Sequence, residues 1–167
     1  PGTPHHTNIK AGIDLFFWRV GISGDSKAVS FYHGENRVTV RWETLGEEVQ
    51  RTAAMLVQRG VQPGDSVVQV SENRYEWLVF DLAIQFCGAI HVPVHATLSA
   101  AQIAFQIVDS GAQLVVLASP DQYEDLLSLM VDFPQLGGWI FFDSLPHSSP
   151  NENVYLHREL VSSLSSP

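Results

Sequence analysis

Basic residues are scarce in this chain of 167 residues: Lys and Arg total nine against 18 Asp and Glu, a formal charge of −9. A nucleic-acid binder needs a basic stripe along its contact face, and none is present. Lysine stands only at Lys10 and Lys27, neither of them in a glycine-rich loop. The lone Cys87 has no partner for an internal disulfide and cannot supply a Cys-rich zinc cluster. Flanked by Phe86 and Gly88, it is read as a small buried hydrophobe. Apolar residues make up 45% of the chain, but no run approaches the roughly 18 needed for a membrane span. Initiator Met and a charged-then-apolar signal layout are missing from PGTPHHTNIKAG. Residues 1–9 are therefore expected to be a flexible lead-in. The terminal SSLSSP has no cap to close a domain, so both ends read as cuts in a longer polypeptide. A cytoplasmic protein is the expectation.

What is present is a repeating unit. After a predicted first helix over 10–20, with Ile13, Phe16, Phe17 and Val20 on one side, AVSFYHGENRVTVRW reads as two strands around Gly34-Glu35-Asn36. In the second strand Val38, Val40 and Trp42 alternate with Thr39 and Arg41, the period of a half-buried strand. Helices and short Val/Ile/Leu-rich strands then alternate. The helix starts are expected at Thr44 with Glu47, Asn73 with Glu76, Ser99 with Gln102, and Ser119 with Pro120 and Gln122. Gly60, Gly88 and Gly111 close the first three. The third helix carries Ile103, Phe105, Ile107 and Val108 before Gly111. The strands are SVVQV, AIHVPV, LVVLA and GWIFFD. This order predicts an α/β fold: a mostly parallel sheet with helices on both faces, plus an N-terminal β-hairpin. Residues 10–143 are expected to form the α/β unit. Residues 144–167 are expected to be a loop and a terminal helix, VYLHRELVSSL, with no strand after it.

His91-Val-Pro-Val-His95 has the spacing of a helical zinc pair, but Pro93 would disrupt a helix by about 3 kcal/mol or more. In a strand at about 3.3 Å per residue the two rings stand roughly 13 Å apart, too far to share an ion. No G-x-G-x-x-G, Walker loop or G-x-S-x-G elbow occurs. Asp81 and Asp109 could be paired as acid and base, but are read as solvated helix residues.

From Trp42 to Ser119 the sequence resembles the N-terminal region of the adenylate-forming enzymes, the group of acyl-CoA synthetases, luciferases and peptide-synthetase adenylation domains. The pieces that carry the likeness, in order, are T-L-x-E, GVQPGD, ENRYEW, CGAIHVPVHATLS and QIVDSGAQLVV. NRYEWLVFDLA and VPVHATLSAAQI are most similar to long-chain fatty acid–CoA ligases. That group commonly has Tyr where His95 stands, followed by a residue and Thr-Leu; His95 departs and Thr97-Leu98 agrees. The resemblance implies a two-step reaction of fatty acid, Mg-ATP and CoA: acyl-adenylate and pyrophosphate form first, and the CoA thiol then displaces AMP. The family's phosphate loop, its aromatic-Gly-x-Thr-Glu motif and its catalytic Lys lie downstream of the matching region and do not occur here. The chain is thus expected to be inactive alone, to bind no cofactor by itself, and to work with the remaining domains of one polypeptide, cytoplasmic or peripheral to a membrane. His95, Ala96 and Thr97 are implied to lie near the CoA or acyl channel; the plainer alternative is that His95 and Thr97 merely shape the strand-to-helix turn, with Ser99 capping the helix. Two alternatives stay open: a standalone α/β binding module, and a piece of an aryl or short-chain adenylate-forming ligase.

Overall fold

The computed structural model describes residues 11–130, 133, 136–147 and 153–163, the last three by backbone only. The lead-in expected over 1–9 lies outside these residues, as does 164–167. Helix α1 (Gly12–Ser23) is followed by the antiparallel hairpin β1 (Lys27–His33) and β2 (Asn36–Arg41), which turns at Gly34-Glu35. Then come α2 (Trp42–Gln58), β3 (Ser66–Val70), α3 (Tyr75–Phe86), β4 (Ile90–Val94), α4 (Ala100–Asp109) and β5 (Ala112–Leu117). The described chain ends with α5 (Tyr123–Leu129), β6 (Gly138–Phe141), β7 (Val154–Leu156) and α6 (His157–Ser163). The five strands β3 to β7 form one sheet in the order β4-β3-β5-β6-β7, every pair parallel. The expected α/β fold is present.

Parallel strands covered on both faces bury side chains in both directions, and Val67, Val68 and Val70 of β3 do so fully. Val67, Leu114 and Ile140 meet α2 and α3 on one face, joined by Phe16 of α1 and Leu160 of α6. Val68, Val115 and Phe141 meet Ile103 and Ile107 of α4 and Leu126 of α5 on the other. Helix α1 lies tight on α2: a Cβ at Gly46 would stand 2.9 Å from Val20 Cγ1, so only glycine allows the approach. Gly60 and Gly88 take φ of +89° and +72° at the predicted helix stops.

Four local expectations are corrected, and α4 divides its apolar residues between two sides. Helix α2 begins at Trp42, ahead of Thr44, because carbonyls of the turn between α1 and β1 take its first N–H groups. Trp42 N donates to Ser26 O at 3.1 Å and Glu43 N to Gly24 O at 3.0 Å. Helix α3 has Arg74 rather than Asn73 at its N-cap, with no capping side-chain bond. Residues 119–122 form a turn, with α5 starting at Tyr123. In α4, Ile103 and Ile107 are buried but Phe105 and Val108 are 67% and 47% exposed, on the outward side. Val154–Leu156, expected as helix, is instead a strand paired with β6. The box of Ser99 and Gln102 forms as predicted, with Gln102 N donating to Ser99 Oγ at 3.4 Å.

Candidate functional site at the sheet's switch point

Strands β3 and β5 are neighbours, yet the chain leaves β3 into α3 on one face and β5 into α5 on the other. Their loops diverge, which opens a crevice beyond the C-terminal ends of the strands, where open α/β sheets hold ligands. A cleft of about 470 Å³ lies there. Val70, Leu117, Ala118 and Ala96 give it small apolar walls, and Glu72, Asn73, Ser119, Asp121 and Gln122 give it polar ones.

One basic residue, Arg74, reaches the cleft. Its Nη1 and Nη2 donate to Asp143 Oδ2 and Oδ1 at 3.0 and 2.8 Å, a bidentate fork. Its Nε donates to Glu76 Oε2 at 2.8 Å, and the guanidinium lies 5.1 Å from the centre of the Phe142 ring. Because Asp143 follows β6 and Arg74 precedes α3, the pair spans the end of β5, which lies between their strands. The Asp143 and Glu76 hydrogen bonds raise the Arg74 pKa above its ordinary value despite partial burial. Burial pushes the Glu76 carboxyl up, but hydrogen bonds from Arg74 and its own backbone N–H leave it below the usual carboxylate value. Tyr75 fixes the next position: its hydroxyl donates to Glu48 Oε2 at 2.6 Å and its ring stacks on Phe31 at 4.7 Å. Burial, followed by the bond to Glu48, pushes the phenol pKa well up.

Of the residues the sequence points to, Ala96 lines the cleft, while His95 and Thr97 are exposed on the turn from β4 to α4. His95 O accepts from Leu98 N at 3.2 Å. His91 points elsewhere. Its Nδ1 lies 2.8 Å from Asp81 Oδ1, its Nε2 2.9 Å from Gln69 Oε1, and its ring meets Trp77 edge-on. Asp81 is therefore corrected: it is a half-buried partner of His91 that also accepts from Gln85 Nε2, not a solvated helix residue. Asp109 is exposed. Cys87 is half-buried with Sγ 3.5 Å from Ala53 O, and burial raises its thiol pKa. Among the described residues no three His, Cys, Asp or Glu side chains form a metal-ligand set, and no helix is long and apolar enough to cross a membrane.

Arg74 and Asp143 were not singled out by the sequence, although Arg74 lies inside ENRYEW. The signal that finds them is position, since each lies in the loop that leaves the C-terminal end of a parallel strand, Arg74 after β3 and Asp143 after β6. The cleft does not fit a triphosphate. Glu72, Asp121 and Asp143 face it with one guanidinium already bound to two carboxylates, and Lys27 lies away on the hairpin.

An open parallel sheet with helices on both faces and a cleft at its switch point defines an open α/β unit. More specifically, the chain belongs to the AMP-binding enzyme family, whose sequence pattern matches residues 16–153. It is 38% identical over 81 residues to long-chain-fatty-acid–CoA ligase FadD15 of Mycobacterium bovis, a match covering 48% of this chain and 13% of that ligase. The chain thus spans only a small part of that relative's length. Uncharacterized protein Rv1549 of Mycobacterium tuberculosis is 32% identical over 101 residues, 60% of this chain and 57% of its own. Coronafacic acid ligase from Pectobacterium brasiliense superposes with a TM-score of 0.77 at 21% identity, over 90% of this chain and 29% of that one. The architecture is that of adenylate-forming ligases.

Proposed function

We propose that this chain is the N-terminal part of an ATP-dependent fatty acid–CoA ligase, an acid–thiol ligase that takes long-chain acids. The identity with the FadD15 ligase over 81 residues carries this reading. In the whole protein a carboxylate would attack the α-phosphate of Mg-ATP, and CoA would displace AMP from the acyl-adenylate. This part supplies scaffold and wall. Ala96 in the cleft, with His95 and Thr97 on the adjoining turn, lies along the path of the acyl chain or of the CoA arm. The phosphate-binding groups come from the remainder of the polypeptide, which agrees with the acidic cleft. Fatty substrates place such a protein in the cytoplasm or at a membrane surface.

The test is ATP–pyrophosphate exchange by the protein in its natural reading frame, across long-chain, short-chain and aryl acids. Long-chain acids are expected to give the highest exchange; a preference for aryl or short-chain acids would overturn the fatty-acid assignment. The 167-residue chain alone is expected to release no AMP from ATP.

A second reading has one observation in its favour. The match to Rv1549 takes up more than half of that protein's length, so a short relative exists. A standalone binding module would be monodisperse as the 167-residue chain and would form a dissociable complex with a partner.

A further inference from the structure

A planar guanidinium in a fork geometry at the switch point of an open α/β sheet is, by its chemistry, a grip for a carboxylate or phosphate. In this chain the grip is already filled. Asp143 lies across both terminal nitrogens of Arg74 at 3.0 and 2.8 Å, in the place a ligand's two oxygens would take, and Glu76 holds Nε. Three further features keep it filled. Phe142, next to Asp143, lies against the guanidinium and so brings the carboxylate and the ring to it together. The β6 strand that delivers Asp143 is buried along all four residues, so the carboxylate is presented by a rigid element. The remaining charges on the cleft, Glu72 and Asp121, repel any anion that would compete.

We propose that Asp143 is a specificity residue: it occupies the Arg74 grip as an internal carboxylate, excludes phosphate and carboxylate groups from the switch-point cleft, and leaves the cleft to uncharged parts of a ligand. The inference stands on the geometry of the chain itself and holds whether the acid substrate is a long-chain fatty acid or another. It distinguishes this cleft from the anion-binding crevice that its position in the sheet would otherwise make it.

The experiment uses the isotope-labelled 167-residue chain and inorganic pyrophosphate at low salt, with the amide resonances of residues 71–74, 118–122 and 142–143 as the readout. The unaltered chain is expected to show no saturable shift at these residues. Asp143→Asn removes the carboxylate from the two terminal nitrogens of Arg74 while keeping the side chain's shape, leaves Glu76 on Nε, and should raise pyrophosphate affinity by about tenfold or more, the worth of a charge-assisted bond. Adding Arg74→Gln should abolish that gain. Saturable binding to the unaltered chain at these residues would overturn the proposal and make Asp143 a displaceable gate. A flat response of folded Asp143→Asn, or a gain that survives Arg74→Gln, would also overturn it. Should Asp143→Asn fail to fold, Asp143→Ser carries the same comparison.

Discussion

The two faces of the five-stranded sheet come from alternate residues of the same strands, yet they bury different chemistry. Beneath α4 and α5 the buried side chains are aliphatic, sulfur-bearing or aromatic: Val68, Ile103, Ile107, Val115, Leu126, Met130, Phe141, with Tyr123 packing edge-on to Trp139 and Phe141. Beneath α2, α3 and α6 the apolar core is interrupted. Gln69 is fully buried there against His91, and Thr52 Oγ1 lies 3.3 Å from Nε2 of His157, a ring enclosed by Phe80 and Phe142. The first face is built mainly by packing; the second also depends on the hydrogen bonds and protonation states of buried polar groups. The two should respond differently to volume, to pH and to loss of a polar group.

The largest effect is expected on the apolar face. Phe141→Ala removes a fully buried ring from the interior strand β6 and leaves a cavity that its rigid neighbours cannot close, at a cost of about 3–5 kcal/mol. That is a large part of the stability of a domain this size. Urea unfolding should show a much earlier midpoint, with no change in its dependence on pH.

The polar face should show the pH dependence. Burial pulls the His157 pKa down from 6.5 to about 4, the nearby Glu76 charge opposing the shift only partly. The folded state thus holds the neutral ring while the unfolded chain binds the proton first. Stability is fully present above pH 6.5, falls as pH drops, and is lost through about pH 4; the full span is about 3 kcal/mol. His157→Leu should flatten this slope between the two values, although Thr52 then loses its partner and the midpoint at neutral pH falls. An unchanged slope in the variant would assign the pH dependence to other groups.

The buried amide offers a sharper contrast. Gln69 Oε1 meets His91, but its Nε2 has no partner among the described residues. Gln69→Leu leaves His91 Nε2 without its hydrogen-bond partner and should cost about 1–3 kcal/mol. Replacing His91 by Leu as well removes the stranded group, so the double variant should lose less than the two single changes added together. Strict additivity in urea unfolding would show that these groups are not coupled.

How much of this was legible in the sequence depended on whether the deciding contact was local. The Ser99 and Gln102 box lies within one helical turn, and it formed as the pattern predicts. Thr44 and Glu47 carry the same pattern, but the carbonyls of Gly24 and Ser26, 19 and 16 residues from their donors Glu43 and Trp42, start that helix earlier. Tyr155 and Leu156 suit a helix by spacing; pairing with β6, invisible in the local sequence, makes them strand. At the cleft, the turn after Val94 was foreseeable because a parallel strand ends there. The Arg74–Asp143 fork was not, since its members lie 69 residues apart and meet only when β5 is inserted between their strands. His91 illustrates the same limit: strand geometry separates it from His95, but only the packing of α3 shows that its partner is Asp81.

Helix α4 turns that limit into the mildest prediction. Ile107 and Phe105 are both large apolar residues, and local composition gives no reason to treat them differently. Packing against Val115 and the rest of the apolar face leaves Ile107 with no exposed surface, while Phe105 on the outward side keeps 67% of its own. A residue already in water in the folded state loses little when truncated, so Phe105→Ala should change stability by no more than about 0.5 kcal/mol. Ile107→Ala should cost about 2–5 kcal/mol, because the same helix then loses a buried side chain. The ratio of the two effects measures how strictly α4 presents one face to the sheet. Equal losses would mean that the outward face is covered in solution, and would move Phe105 from the surface to an interface.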